Sequence, residues 1–132
     1  MKYLLDTHYL IWAITETSKL SKNVKIIIEN PKNTILVSAI SFWEISLKFS
    51  LGKLDLGPLQ PENFQTACEQ MGCEILDLNA ETSSTYHQLL PKYHTDPFDR
   101  MLIWQAIKNN YTLISDDVNV QKYITEGLKV IS

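Results

Sequence analysis

Short apolar runs alternate with stretches of helical spacing along most of the chain. Lys2 to Leu5 is a compact apolar run that stops at Asp6, and from Thr7 to Ile14 the large apolar residues recur at helical intervals. Strand, turn and helix are expected in that order. Ser18 and Ser21 are N-cap candidates ahead of a helix over Val24 to Glu29, Pro31-Lys32-Asn33 closes it, and the β-branched run Thr34 to Ser38 predicts a second strand. From Ala39 to Leu51 the residues Ile40, Trp43, Leu47 and Leu51 recur at intervals of three and four, with Gly52 as a stop. That spacing predicts an amphipathic helix.

Gly57, Pro58 and Pro61 mark an irregular connection. Beyond it the pattern predicts a helix over Glu62 to Met71 ended by Gly72, a strand over Cys73 to Leu78, and a helix over Ala80 to Leu90 capped by Asn79. Pro91 to Thr95 reads as loop. Asp96-Pro97 begins a helix that continues from Phe98 to Asn109, with Pro97 near its first position. A strand over Thr112 to Ser115, a short helix around Val118 to Tyr123 and a last strand over Lys129 to Ile131 follow. Parallel neighbours need crossover connections, so short strands alternating with helices predict an α/β fold with a central parallel sheet covered by helices. With 132 residues and 45% hydrophobic content, the chain fits a single domain, 1–132, with one real core.

No apolar run approaches the roughly 20 residues that span a bilayer, and Asp6 interrupts the N-terminus before a secretory apolar region can develop. A cytosolic protein with no membrane partner is expected. Cys68 and Cys73 match neither a redox motif nor half of a zinc site, so they read as free thiols. Net charge is −3, and Arg100 is the only arginine. Long-range attraction alone would not grip a polyanion, so any nucleic-acid binding calls for bound metal. Lys2, Lys19, Lys22, Lys25, Lys32, Lys48 and Lys53 lean toward the first half, either as a basic rim or as scattered solvated residues.

The acidic residues change the picture. In open parallel sheets, ligands sit beyond the carboxyl ends of the strands, and there Asp6 follows the first strand while Asp116 and Asp117 follow Thr112 to Ser115. Glu44 falls in the first half of the helix after Thr34 to Ser38, and Asp99 in the first turn of the helix that feeds the next strand. All four regions are expected to meet at one edge. Two carboxylates ~4 Å apart repel by roughly 4 kcal/mol at an effective dielectric near 20, and a dication reverses the sign. Mg2+ suits an all-oxygen acidic cluster. Such an ion polarises phosphate and activates water, which points to phosphodiester hydrolysis. The same repulsion predicts that replacing Asp99 or Asp117 by Asn stabilises the metal-free protein.

Structural roles compete for the same residues. Asp6 could cap the helix from Thr7, Glu44 could pair with Lys48 one turn on, Asp99 could serve a helix dipole, and Asp116 could be a turn residue. Asp96 is well placed as the N-cap of the Pro97 helix. His8, His87 and His94 lack HExxH-type spacing and read as surface or packing residues, with zinc disfavoured. Trp12, Trp43 and Trp104 occupy apolar helical positions and are expected in the core or an interface. No Walker loop or GxGxxG is present, and Ser115 has no histidine at a recognisable triad position.

Four stretches together carry a resemblance: Leu4-Leu5-Asp6-Thr7-His8, Ser41-Phe42-Trp43-Glu44-Ile45-Ser46-Leu47-Lys48, Asp96-Pro97-Phe98-Asp99-Arg100-Met101-Leu102-Ile103 and Leu113-Ile114-Ser115-Asp116-Asp117. In this order the chain resembles the PIN-domain ribonucleases, and within them the VapC-like toxins of type II toxin-antitoxin pairs. The resemblance implies a three-layer α/β/α fold and a ribonuclease whose Asp6, Glu44, Asp99 and Asp117 bind Mg2+, with Mn2+ as a substitute. It implies supporting roles for Ser115, whose hydroxyl holds the last acid or the metal's water, and for Asp96 and Arg100 in orienting Asp99 or contacting phosphate. Threonine often stands in that family where this chain has Ser115, a change that keeps the hydroxyl. Also implied are an RNA substrate, a homodimer and a cognate antitoxin whose C-terminal segment fills the acidic groove. Two other readings stand beside it: a phosphoacceptor receiver domain, disfavoured because Asp6 stands alone after the first strand, and a PIN-fold binding module that has lost its chemistry.

Overall fold

The computed structural model describes all 132 residues. Its core is a five-stranded sheet of β1 (Lys2–Leu5), β2 (Thr34–Ser38), β3 (Glu74–Leu76), β4 (Thr112–Ile114) and β5 (Lys129–Ile131), all parallel, in the order β3-β2-β1-β4-β5. Seven α-helices connect and cover it: α1 (Thr7–Thr15), α2 (Lys22–Glu29), α3 (Ala39–Ser50), α4 (Pro61–Gln70), α5 (Ala80–Thr85), α6 (Pro97–Asn109) and α7 (Val118–Gln121). This is the expected three-layer α/β/α arrangement. The order also separates the chain from receiver-type domains, whose strands run 2-1-3-4-5.

Side chains alternate across each strand and so divide the core in two. Tyr3 and Leu5 of β1 join Ile35, Val37 and Ile114 under α1, α2, α3 and α4, while Leu4 joins Leu36 and Leu113 on the other face against Leu102, Ile103 and Ala106 of α6. Continuous apolar runs in β1 and β2 fit strands buried on both faces.

Several boundaries differ from the sequence expectation. The helix predicted to reach Leu90 ends at Thr85 and tightens into a 3-10 turn over Tyr86–Gln88. Ser83, Ser84 and Thr85 turn their hydroxyls back onto the carbonyls of Asn79 and Glu81, a competition that weakens a helix. Strand Cys73 to Leu78 shrinks to Glu74–Leu76, an edge strand that pairs only with β2. The last short helix passes at Lys122 into a 3-10 segment that Gly127 closes at φ +92°. An unpredicted 3-10 turn holds Ser18, and Ser21 caps α2, which starts at Lys22. Cys68 and Cys73 are free. No helix is long and apolar enough to cross a membrane.

Candidate metal centre

From β1 the chain builds outward through β2 and β3, then returns to lay β4 and β5 on the other side of β1. A crevice opens at such a reversal, beyond the carboxyl ends of the two central strands. Asp6 leaves β1 there, and Ser115 to Asp117 leave β4. The Asp6 N–H donates to the Ile114 carbonyl at 3.1 Å, which ties the two strand ends together.

Asp6 and Glu44 form the inner wall. Asp6 is 6% exposed and caps α1, accepting the Tyr9 N–H at 2.8 Å, so the capping role and the acidic cluster share one side chain. Burial pushes its carboxyl from the usual 3.8 up to about 7 and outweighs the Tyr9 N–H, the Ser115 hydroxyl and His8, which lower it; Asp99 raises it further. The Thr7 hydroxyl donates to Ser41 at 3.0 Å, fastening α1 to α3 one turn before Glu44. Glu44 is 3% exposed. Its Oε2 meets the Lys48 ammonium, which is the expected i, i+4 pair, but its Oε1 is the one buried side-chain oxygen or nitrogen in the protein without a hydrogen-bond partner. An unpartnered buried polar atom costs on the order of 1–3 kcal/mol. A cavity of about 210 Å³ lined by Thr7, His8, Glu44 and Lys48 lies beside it. Burial lowers the Lys48 pKa, yet Glu44, Asp96 and Asp99 together leave it raised.

Asp99, Asp117 and a histidine form the outer wall. Asp96 caps α6 through the N–H groups of Phe98, at 2.8 Å, and Asp99, at 3.3 Å. Burial pushes Asp99 up to about 6; Asp96, Glu44 and Asp117 add to the rise, and His94 opposes it. Asp117 caps α7 by accepting from Asn119 at 2.8 Å and Val120 at 3.4 Å, and its own N–H donates to the Ser115 hydroxyl at 3.2 Å. Burial would raise its pKa, but those N–H groups and His94 hold it below the usual carboxylate range. Asp99 therefore senses Glu44 and Asp117, and Asp6 senses Asp99. Only Asp99 and Asp117, together with a histidine, bring ligand atoms to metal spacing; Asp6 and Glu44 stand outside that group.

His94 was expected at the surface or in packing, and the structure places it inside this cluster. Its Nε2 lies 3.0 Å from Asp117 Oδ2 and 3.2 Å from Asp99 Oδ2, and one ligand atom from each of the three residues falls within 4.8 Å of the others. The proximity of His94 to Asp96 in sequence was the available signal. His8 and His87 are exposed, as expected.

Other residues depart from expectation. Arg100 faces away from the carboxylates: it is buried, and its guanidinium donates to the carbonyls of Leu89 at 2.6 Å and Pro91 at 2.7 Å and to the hydroxyls of Tyr86 and Tyr123, both at 2.8 Å. It fastens the loop that carries His94. Asp116 is exposed, and its charge reaches Tyr9, whose phenol is raised by burial and then by Asp116 and Asp6. Trp104 is buried and Trp12 half-buried, but Trp43 is 59% exposed and packs edge-on against Phe98 at 5.0 Å. Asp117 is already stabilised as a carboxylate, so Asn there relieves Asp99 of a repulsion but gives up a favourable ionisation, in contrast to the expectation from repulsion alone. Of the early lysines, Lys48 is the one paired with a cluster acid.

The chemistry of the donors fits a hard divalent cation. Clustered carboxylates, two of them with raised pKa, and an unpartnered Glu44 Oε1 are the groups that oxygen-seeking Mg2+ or Mn2+ satisfies. The largest cavity, about 610 Å³, lies at the His94 loop among Tyr86, Leu89, Lys92 and Arg100 and contains no carboxylate.

The model of the PIN domain family matches residues 3–124. No curated protein matches the sequence. Among solved structures, VapBC2 from Rickettsia felis bound to a promoter DNA fragment is similar at a TM-score of 0.67 and 22% identity, covering 99% of this chain and 98% of the other. VapBC-1 from nontypeable Haemophilus influenzae is similar at 0.68 and 20%, covering 100% and 98%. DNA-bound VapBC from Salmonella typhimurium is similar at 0.70 and 18%, covering 99% and 97%. At these identities the likeness is one of fold.

Proposed function

The chain belongs to the PIN domain family, and from that premise we propose that it is a divalent-cation-dependent ribonuclease acting as the VapC-like toxin of a toxin-antitoxin pair. The observation that supports the reading is Asp99 and Asp117 at metal-ligand spacing beyond the sheet's carboxyl edge, together with Asp6 buried at the end of β1 and a buried Glu44 Oε1 that has no partner. Asp6, Glu44, Asp99 and Asp117 would hold Mg2+, or Mn2+ in its place. The bound ion supplies phosphate polarisation, a more acidic attacking water and stabilisation of the leaving oxygen.

The chain's own residues set the stage. Asp6 and Asp117 are fixed by the helices they cap, Thr7 holds α1 against α3, and Ser115 joins the two strand ends by facing Asp6 and accepting from Asp117. Lys48 leaves positive charge at the rim, where a substrate phosphate would enter. An RNA substrate places the protein in the cytosol, and the solved VapBC assemblies support a cognate antitoxin. A basic side chain from that antitoxin would satisfy the same carboxylates, and a homodimer completes the proposed assembly.

Purified protein is expected to cleave single-stranded or structured RNA with Mg2+ or Mn2+, and Asp6→Asn is expected to abolish cleavage. Full activity in excess chelator contradicts the reading. Cation binding without cleavage of any RNA favours the binding-module alternative.

A further inference from the structure

His94 is the one imidazole among these carboxylates, and its two nitrogens meet different partners. The Asp96 backbone N–H points at Nδ1 from 3.2 Å, so Nδ1 presents its lone pair. In a neutral imidazole the proton then sits on Nε2, the atom that lies 3.0 Å from Asp117 Oδ2 and 3.2 Å from Asp99 Oδ2. Ligation of a cation through Nε2 would move that proton to Nδ1, setting donor against donor at Asp96.

The backbone that carries the ring is fastened. The His94 N–H donates to the Tyr123 hydroxyl at 3.2 Å, and that hydroxyl donates to the Pro91 carbonyl at 2.7 Å. Arg100 reaches the Tyr123 hydroxyl and the Pro91 and Leu89 carbonyls, holding the start of the loop. Asp117 Oδ1 is already taken by Asn119 and Val120, so Oδ2, the oxygen His94 touches, is the one turned to the crevice.

We propose that His94 is a positioning residue: its Nε2–H donates to Asp117 Oδ2 and stands 3.2 Å from Asp99 Oδ2, holding the two carboxylates in register for a divalent cation without itself binding that cation. The inference rests on the metal site proposed above. A carboxylate oxygen has lone pairs enough to accept this hydrogen bond and also ligate an ion, and outer hydrogen bonds of this kind commonly carry 10–100-fold in metal affinity.

The test is Mn2+ binding to the full chain, by calorimetry and by pulsed EPR, for wild type, His94→Gln and His94→Asn. The Gln amide reaches the place of Nε2 and keeps a donor toward both acids, whereas the Asn amide stops near Nδ1. His94→Asn is expected to weaken Mn2+ by about 10–100-fold and His94→Gln to recover most of it. Wild type is expected to show no directly bonded 14N coupling. Strong 14N coupling in wild type would make His94 a ligand and overturn the proposal, even were His94→Asn to fail to fold. Equal affinity in all three proteins, or tighter binding in His94→Asn, overturns it as well. Wild type that binds no divalent cation refutes the metal site itself, a separate failure.

Discussion

Asp6 and Asp117 occupy matching places, each just beyond a central strand and each capping the helix that follows, yet their carboxyls go opposite ways. Asp6 is almost sealed from water, and one backbone N–H together with the Ser115 hydroxyl does not offset the lost solvation, so its pKa rises to about 7. Asp117 keeps contact with water and gathers two backbone N–H groups and the His94 ring, so its pKa falls. The same turn can thus make a comfortable carboxylate or a costly one, and burial with the count of donors decides which. On the inner wall Asp6 has no cationic partner within ion-pair distance, and Glu44 has Lys48 on one oxygen and nothing on the other. The outer wall is partly satisfied by His94.

The largest effect that tests this contrast is on the metal-free protein. A raised pKa means that the folded state is penalised as pH climbs from about 4 toward 7, because the unfolded carboxyl ionises first. One pKa unit is worth about 1.4 kcal/mol, so between pH 5 and pH 8 the penalty from Asp6 grows by about 2–3 kcal/mol. Asp6→Asn keeps an oxygen for the Tyr9 N–H and should raise the unfolding midpoint far more at pH 8 than at pH 5. Asp99→Asn should follow the same direction with about 1 kcal/mol over that interval. Asp117→Asn is expected to leave the midpoint unchanged or lower it, since its stabilising ionisation is lost only as pH falls below the usual carboxylate range. Three parallel stabilisations would erase the distinction between Asp117 and the two acids with raised pKa.

A smaller effect concerns the loop behind the outer wall. Arg100→Lys cannot reach the Leu89 and Pro91 carbonyls and the two tyrosine hydroxyls together, and leaving buried acceptors unpaired should cost about 1–2 kcal/mol in chemical denaturation. The loop carrying His94 should then exchange its amides faster than β1 does. Equal protection of loop and strand in the variant would detach Arg100 from this role.

Much of this arrangement was legible in the chain. Apolar runs ending at acids marked β1 and β4, helical spacing marked α3 and the Asp96-Pro97 entry marked α6, because burial periodicity and turn chemistry are written locally. The strand order was not spelled out, since nothing local says that β4 returns to the side of β1. His94 escaped because its ring enters the cluster only through a loop shaped by Arg100 and Tyr123, the latter 29 residues away. Trp43 followed the apolar spacing of α3 and still faces outward, packed only at its edge against Phe98. Arg100 shares a motif with Asp99, yet a helix turns successive side chains apart, and this one points into the loop.

On the proposed reading, Asp6 and Asp99 stay beside the other acids by holding their protons more tightly than usual, and a divalent cation displaces those protons. Calorimetric titration of Mn2+ near pH 6.5, repeated in two buffers of different ionisation enthalpy, measures it directly. Binding is predicted to release protons, with Asp6 the main source, and the release should vanish above about pH 8, where the carboxyls are already ionised. Binding with no proton release near pH 6.5, or no binding, would contradict the account.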